Sequence, residues 1–114
     1  MNAKPVANPG PARIEALGNG RFKVHGALHA ETVTALFELS PELFRGTPQI
    51  DIDLAGVPEG DSAGLALLIE WLRLANQHKQ KIEFRNLPTQ LSALARISEI
   101  EDLLTPHANG VAPH

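Results

Sequence analysis

The pentapeptide Gly60-Asp61-Ser62-Ala63-Gly64 carries more potential chemistry than any other stretch of the chain. Three roles fit these residue types at this spacing. A Ser between glycines at a strand-to-helix turn has the pattern of a nucleophile elbow, whose hydroxyl attacks a carbonyl carbon. Asp and Ser ahead of a helix are also N-cap residues, because their side-chain oxygens accept from the first free backbone N–H groups. A hydroxyl at a helix start is in addition a place where phosphorylation has leverage. It would set roughly two negative charges at the positive end of the helix dipole, beside Asp61 and Glu59. Gly64 in the first helical turn costs helix stability, which makes sense where something approaches the backbone closely.

Other candidates are thinner. An elbow needs a His and an acid, and nothing in the spacing of the five histidines demands a triad with Ser62. Too few residues follow Gly64 to complete a hydrolase sheet and its downstream partners, so catalysis is not expected. Asp51 and Asp53 alternate on one face of a strand, but no His or Glu beside them completes an oxygen-rich set, so no metal is expected. His25 and His29 flank Gly26-Ala27-Leu28 and lack a third ligand, which leaves them surface or capping roles. His107 and His114 fall in the C-terminal tail. No motif calls for a cofactor.

The composition frames these choices. A chain of 114 residues fits one domain, and 43% hydrophobic with 20% charged residues is ordinary for a cored fold. Cysteine is absent, which removes disulfides, thiolate metal sites and cysteine nucleophiles together and points to a reducing compartment. The net charge is −3 and the Lys and Arg residues are scattered, so no basic stripe suggests nucleic acid. The N-terminal residues contain prolines 5, 9 and 11 and no apolar run, unlike a signal peptide. The strongest apolar stretch, residues 64–69, is far short of the roughly 20 residues that span a bilayer. Direct membrane insertion is not expected, and any membrane role must pass through a partner.

Periodicity supplies the elements. Residues 1–12 are rich in Pro, Ala and Asn and read as a disordered tail. Residues 13–17 form a short strand, Gly18-Asn19-Gly20 a hairpin turn, and residues 21–25 a half-buried strand with Phe22 and Val24 on one side. Val33, Leu36 and Phe37 recur at helical spacing over residues 30–44, with Pro41 expected to end or restart the helix. Ile50, Ile52 and Leu54 alternate in a strand over residues 49–54. Residues 62–78 are the clearest helix. Residues 81–85 form a fourth strand, and Pro88 opens a helix with Leu91, Leu94, Ala95 and Ile97 as its apolar stripe. Ile100, Leu103 and Leu104 suggest a final turn, and residues 105–114 a second disordered tail. The order β-β-α-β-α-β-α predicts an α/β fold, a mixed sheet with helices packed mainly on one face.

The long helix is too apolar for a single contact. On a helical wheel Leu65, Leu68, Ile69 and Leu72 form the stripe expected to lie on the sheet. Leu67, Trp71 and Leu74 widen the arc past half the circle. That second group must meet the helix after Pro88 or a partner protein, and in isolation it favours self-association as a homodimer. Trp71 is the lone tryptophan, a residue type enriched in interface hot spots.

The run Ile52-Asp53-Leu54-Ala55-Gly56-Val57, followed by Asp61-Ser62-Ala63-Gly64-Leu65-Ala66-Leu67-Leu68, resembles the core signature of STAS domains. The element order matches that fold over residues 13–104. The continuation Glu70-Trp71-Leu72-Arg73-Leu74-Ala75 and the run Phe84-Arg85-Asn86-Leu87-Pro88 are similar to the MlaB-type subunits of Mla phospholipid ABC transporters. This resemblance implies a non-catalytic cytoplasmic subunit, peripheral to the inner membrane. It would bind an MlaF-like ATPase in a membrane complex that maintains outer-membrane lipid asymmetry. The alternative within the family is an anti-sigma factor antagonist. Ser62 falls where antagonists carry their phosphorylated Ser and where MlaB-type members carry a Ser or Thr at the ATPase contact. By this resemblance the partner-binding residues are Asp61, Ser62, Ala63 and Gly64, with Leu67 and Trp71 extending the surface down the helix. Ala63 departs from antagonists with a second Ser there. Pro58-Glu59-Gly60 departs further, since Gly60 removes the apolar residue usual before the Asp and suggests a looser loop.

Overall fold

The computed structural model describes residues 12–104, and the two predicted tails lie outside them apart from Ala12, which is buried in the core. The elements are β1 (Arg13–Gly18), β2 (Arg21–His25), α1 (Ala30–Phe44), β3 (Gln49–Gly56), α2 (Ser62–Gln77), β4 (Lys81–Arg85), α3 (Thr89–Ile97) and the single-turn α4 (Glu101–Leu104). The sheet order is β1-β2-β3-β4. β1 and β2 pair antiparallel through the tight turn at Asn19, whose φ of 58° is one that Asn tolerates. β2 pairs with β3, and β3 with β4, in parallel. Parallel neighbours need a crossover, and α1 and α2 supply the two.

Alternation along each strand sorts the two faces of the sheet. Phe22, Val24, Ile50, Ile52, Leu54 and Phe84 point to one side and are buried under the helices. Their strand neighbours make a solvated polar lattice on the other side. Arg85 bridges Asp51 at 2.7 Å and Glu83 at 3.1 Å, and His25 meets Glu15 at 2.9 Å. Asp51 and Asp53 therefore share a face, as their spacing predicts, and that face is the solvated one. Asn86 donates to Asp53 at 2.9 Å and, with help from the Ala55 N–H, holds its carboxyl below the usual carboxylate range against the opposing effect of partial burial. Among the described residues, no three His, Asp or Glu stand together so as to hold a metal.

Three expectations about the helices are corrected. α1 neither ends nor restarts at Pro41 but runs through it to Phe44. A proline inside a helix costs about 3 kcal/mol, and the turn beyond it is anchored by Phe44, fully buried edge-on against Phe22 and Trp71 at 5.2 and 5.9 Å. The buried stripe of α2 is broader than the expected one and reaches Leu67 and Trp71. Its buried residues are Gly64, Leu65, Leu67, Leu68, Trp71 and Ala75, while Ile69 and Leu72 are only half-buried. Trp71 lies at the middle of the core, stacked on Phe84 at 6.4 Å, with its indole N–H donated to the Ser40 hydroxyl of α1. Of the second apolar group, Trp71 thus packs against α1 and the sheet and Leu67 is buried as well, while Leu74 is half-buried. The α3 stripe is narrower than predicted: Leu91 and Ala95 are buried, but Ile97 is 78% exposed.

Candidate functional site

Two connections, residues 26–29 before α1 and residues 57–61 before α2, lie side by side beyond the ends of β2 and β3. Gly26 N–H donates to Gly56 O at 3.0 Å and Leu28 N–H to Glu59 O at 3.0 Å, and Asp61 N–H returns to Leu28 O at 3.1 Å. The β2–β3 pairing therefore continues as a zipper through both loops, with Leu28 bridged to Gly60. The ladder holds the N-terminal ends of α1 and α2 together at one end of the domain.

Asp61 is the N-cap of α2. Its backbone is extended, and its carboxylate Oδ1 accepts from Ala63 N–H at 2.9 Å and Gly64 N–H at 3.4 Å. Its carbonyl then accepts the first helical bond from Leu65 N–H at 3.1 Å. The capping reading of Asp61 is thus realised. Ser62 is the first residue of α2. It is exposed, and its hydroxyl makes no hydrogen bond with the described residues. It stands at the positive end of the helix with Asp61 on one side and exposed Glu59 nearby in the loop.

The loop before Asp61 is held more firmly than its glycines suggest. Gly60 is buried, and its N–H donates to the side chain of Gln90 on α3 at 2.9 Å. A Cβ on Gly60 would stand 3.0 Å from Leu91. The missing apolar side chain is therefore replaced by Leu91 from the next helix, which corrects the expectation of a loose loop.

The six residues singled out from the sequence divide into two groups. Asp61 and Ser62 are exposed and Ala63 is half-buried, so these three reach the surface. Gly64, Leu67 and Trp71 are buried. Gly64 answers the need for close backbone approach, but what approaches is Leu28 of the same chain. The side chains beside Ser62 along the outer face of α2 are instead Ala66, Glu70 and Arg73, with Glu70 and Arg73 paired at 3.7 Å. Leu28 and Gln90, which position the loop, had no signal in the sequence because their partners are remote along the chain.

Among the described histidines, His25 and His29 have acidic partners of their own. His25 pairs with Glu15, and His29 caps α1 with its ring nitrogen 3.0 Å from Glu31. Thr32 completes that cap by accepting from His29 N–H at 3.1 Å and donating to Ala27 O at 2.7 Å. No helix among the described residues is long and apolar enough to cross a membrane.

Comparison with known proteins agrees with this geometry. A family model described as "Mlab, STAS domain" matches residues 14–105. An anti-sigma-B factor antagonist of Staphylococcus epidermidis is 33% identical over 100 residues, covering 84% of this chain and 91% of the relative. The anti-sigma-B factor antagonist of Staphylococcus aureus strain NCTC 8325 matches with the same identity and the same coverage. With a capped, exposed Ser at the start of the second helix of a mixed four-stranded sheet, and with a family match spanning nearly all the described residues, the chain belongs to the STAS domain family.

Proposed function

We propose that this chain is a non-catalytic docking module of the anti-sigma factor antagonist kind, whose partner meets the Ser62 end of α2 and is released when Ser62 is phosphorylated. The observation that carries this reading is the placement of Ser62. Its hydroxyl is exposed and makes no hydrogen bond among the described residues, on a helix start held in place by the Asp61 cap and the Leu28 zipper. A kinase can reach such a hydroxyl without unfolding anything. The phosphate would add roughly two negative charges beside Asp61 and Glu59. The helix dipole tolerates that charge, but a protein surface docked flush against α2 does not. The names of the staphylococcal relatives support the same reading.

A second reading is supported by the description of the matching family. The same surface, Asp61, Ser62 and Ala63 with the outer face of α2, would then dock on the ATPase of an Mla-type phospholipid transporter, and the chain would be held at the inner membrane through that partner. Capture of the tagged chain from its own host, followed by identification of what is bound, separates the two. A serine kinase that phosphorylates Ser62 and then lets go supports the antagonist. An ABC ATPase retained without phosphorylation supports the transporter subunit. Ser62→Glu should abolish capture in either case, and undiminished capture would place the docking surface elsewhere.

A further inference from the structure

A concavity lies at the end of the domain opposite Ser62, where α1 and α2 finish and β3 and β4 begin. It is a groove of about 600 Å³, within the size range of small-molecule sites. α2 spans 16 residues, so the groove is about 24 Å from Ser62 and separate from the docking end. Pro41, Pro48 and the half-buried Leu74 give it an apolar wall, backed by the buried Phe44. Arg45, His78 and Lys79 stand around it, and no acidic residue lines it among the described residues. Glu42 pairs with Arg45 at 3.0 Å, but both side chains are largely exposed, and such a pair competes weakly with a bound anion.

The helix ends do not need these cations to satisfy their carbonyls. Phe44 O accepts from Thr47 N–H and from the Gln80 amide, Leu74 O and Ala75 O accept from His78 N–H, and Asn76 O accepts from Lys79 N–H. Gln80 fixes the groove's shape, donating from Nε2 to Phe44 O at 2.7 Å and Thr47 O at 2.8 Å, while its own Oε1 has no donor. The Phe44 and Lys79 segments are thereby fastened to each other.

We propose that this groove binds a small anionic amphiphile, its carboxylate or phosphate head between Arg45 and Lys79 and its apolar body against Pro41, Pro48 and Leu74. The pairing of an apolar wall with a cationic rim selects for both parts of such a molecule at once. The site has a built-in reporter, since Phe44 also contacts the lone Trp71, ring centres 5.9 Å apart.

The test is a titration of the isotope-labelled protein with decanoate, decyl phosphate and neutral decanol, each below its aggregation threshold, followed by amide and indole NMR shifts. Decanoate or decyl phosphate, or both, should move the amides of Gly46, Thr47, Lys79 and Gln80 and the Trp71 indole N–H in a saturable way. Which of the two acids binds more tightly identifies the head group. Arg45→Gln combined with Lys79→Asn removes the charge, and Asn tolerates the φ of +58° at position 79. That double variant should bind about tenfold more weakly while keeping the wild-type melting temperature. Decanol should bind the wild-type protein no better than the anions bind the double variant. Absence of saturable shifts, equal binding by the double variant, or equal binding of decanol would each overturn the proposal.

Discussion

A Cβ placed on Gly64 would lie 2.8 Å from the carbonyl oxygen of Leu28 and 2.9 Å from the Leu28 Cβ. The first turn of α2 therefore rests directly on the loop before α1. Because that same carbonyl accepts from Asp61 N–H, neither side can retreat without breaking the zipper. Gly64→Ala should lower stability by about 1–2 kcal/mol, the overpacking cost outweighing the gain in helix propensity. The urea midpoint reports it, and an unchanged or higher midpoint would contradict the contact.

The Asp61 cap and the Ser62 hydroxyl should separate cleanly by mutation. Asp61→Ala strips two N–H groups of their acceptor and should cost about 1 kcal/mol. Ser62→Ala removes an exposed group with no internal partner and should stay within about 0.5 kcal/mol of wild type. Chemical denaturation of the two variants side by side measures both. A Ser62→Ala loss as large as that of Asp61→Ala would mean that Ser62 is structural.

Ser40 and Trp71 form a buried polar pair between α1 and α2. Ser40→Ala should destabilise by about 1–3 kcal/mol, because the indole N–H is left without an acceptor in the core. Trp71→Phe removes that donor, so the double variant should cost less than the sum of the singles. Additive losses in this cycle would show that the pair contributes nothing specific.

Asn86 sits at a φ of 59° and reaches across to Asp53. Because the folded carboxyl of Asp53 titrates below its ordinary value of 3.8, its contribution to stability is present above that value and is lost as the pH falls through the lower folded value. Asn86→Gly keeps the backbone conformation and deletes the amide. Carboxyl NMR titration should then place Asp53 closer to its ordinary value, with a smaller acid-side loss of stability. An unmoved titration would assign the shift to the Ala55 N–H and the neighbouring charges of Lys23 and Arg85 instead.

Local pattern determined most of the architecture. Alternation in Arg21–His25 and Gln49–Gly56, the Asn19 turn, the Asp61 cap and the helical spacing after Ser62 each depend on residues a few positions apart, so they are visible along the chain. The family signature around Ser62 is local for the same reason. What the pattern could not decide was which apolar residues of α2 face inward. Leu67 and Trp71 looked available for a partner because a wheel shows the width of an arc but not how many neighbours cover it. Only the packing of α1 beside α2, set by Ser40 and Phe44 from more than 25 residues away, placed Trp71 inside. Likewise Gly64 announced close approach, yet Leu28 could be named as the approaching group only from the tertiary structure, as could Gln90 and Leu91 as the groups that hold Gly60. The sequence thus determined the fold and the exposed Ser62, while side-chain packing between remote segments decided how much of the surrounding helix is left to meet a partner.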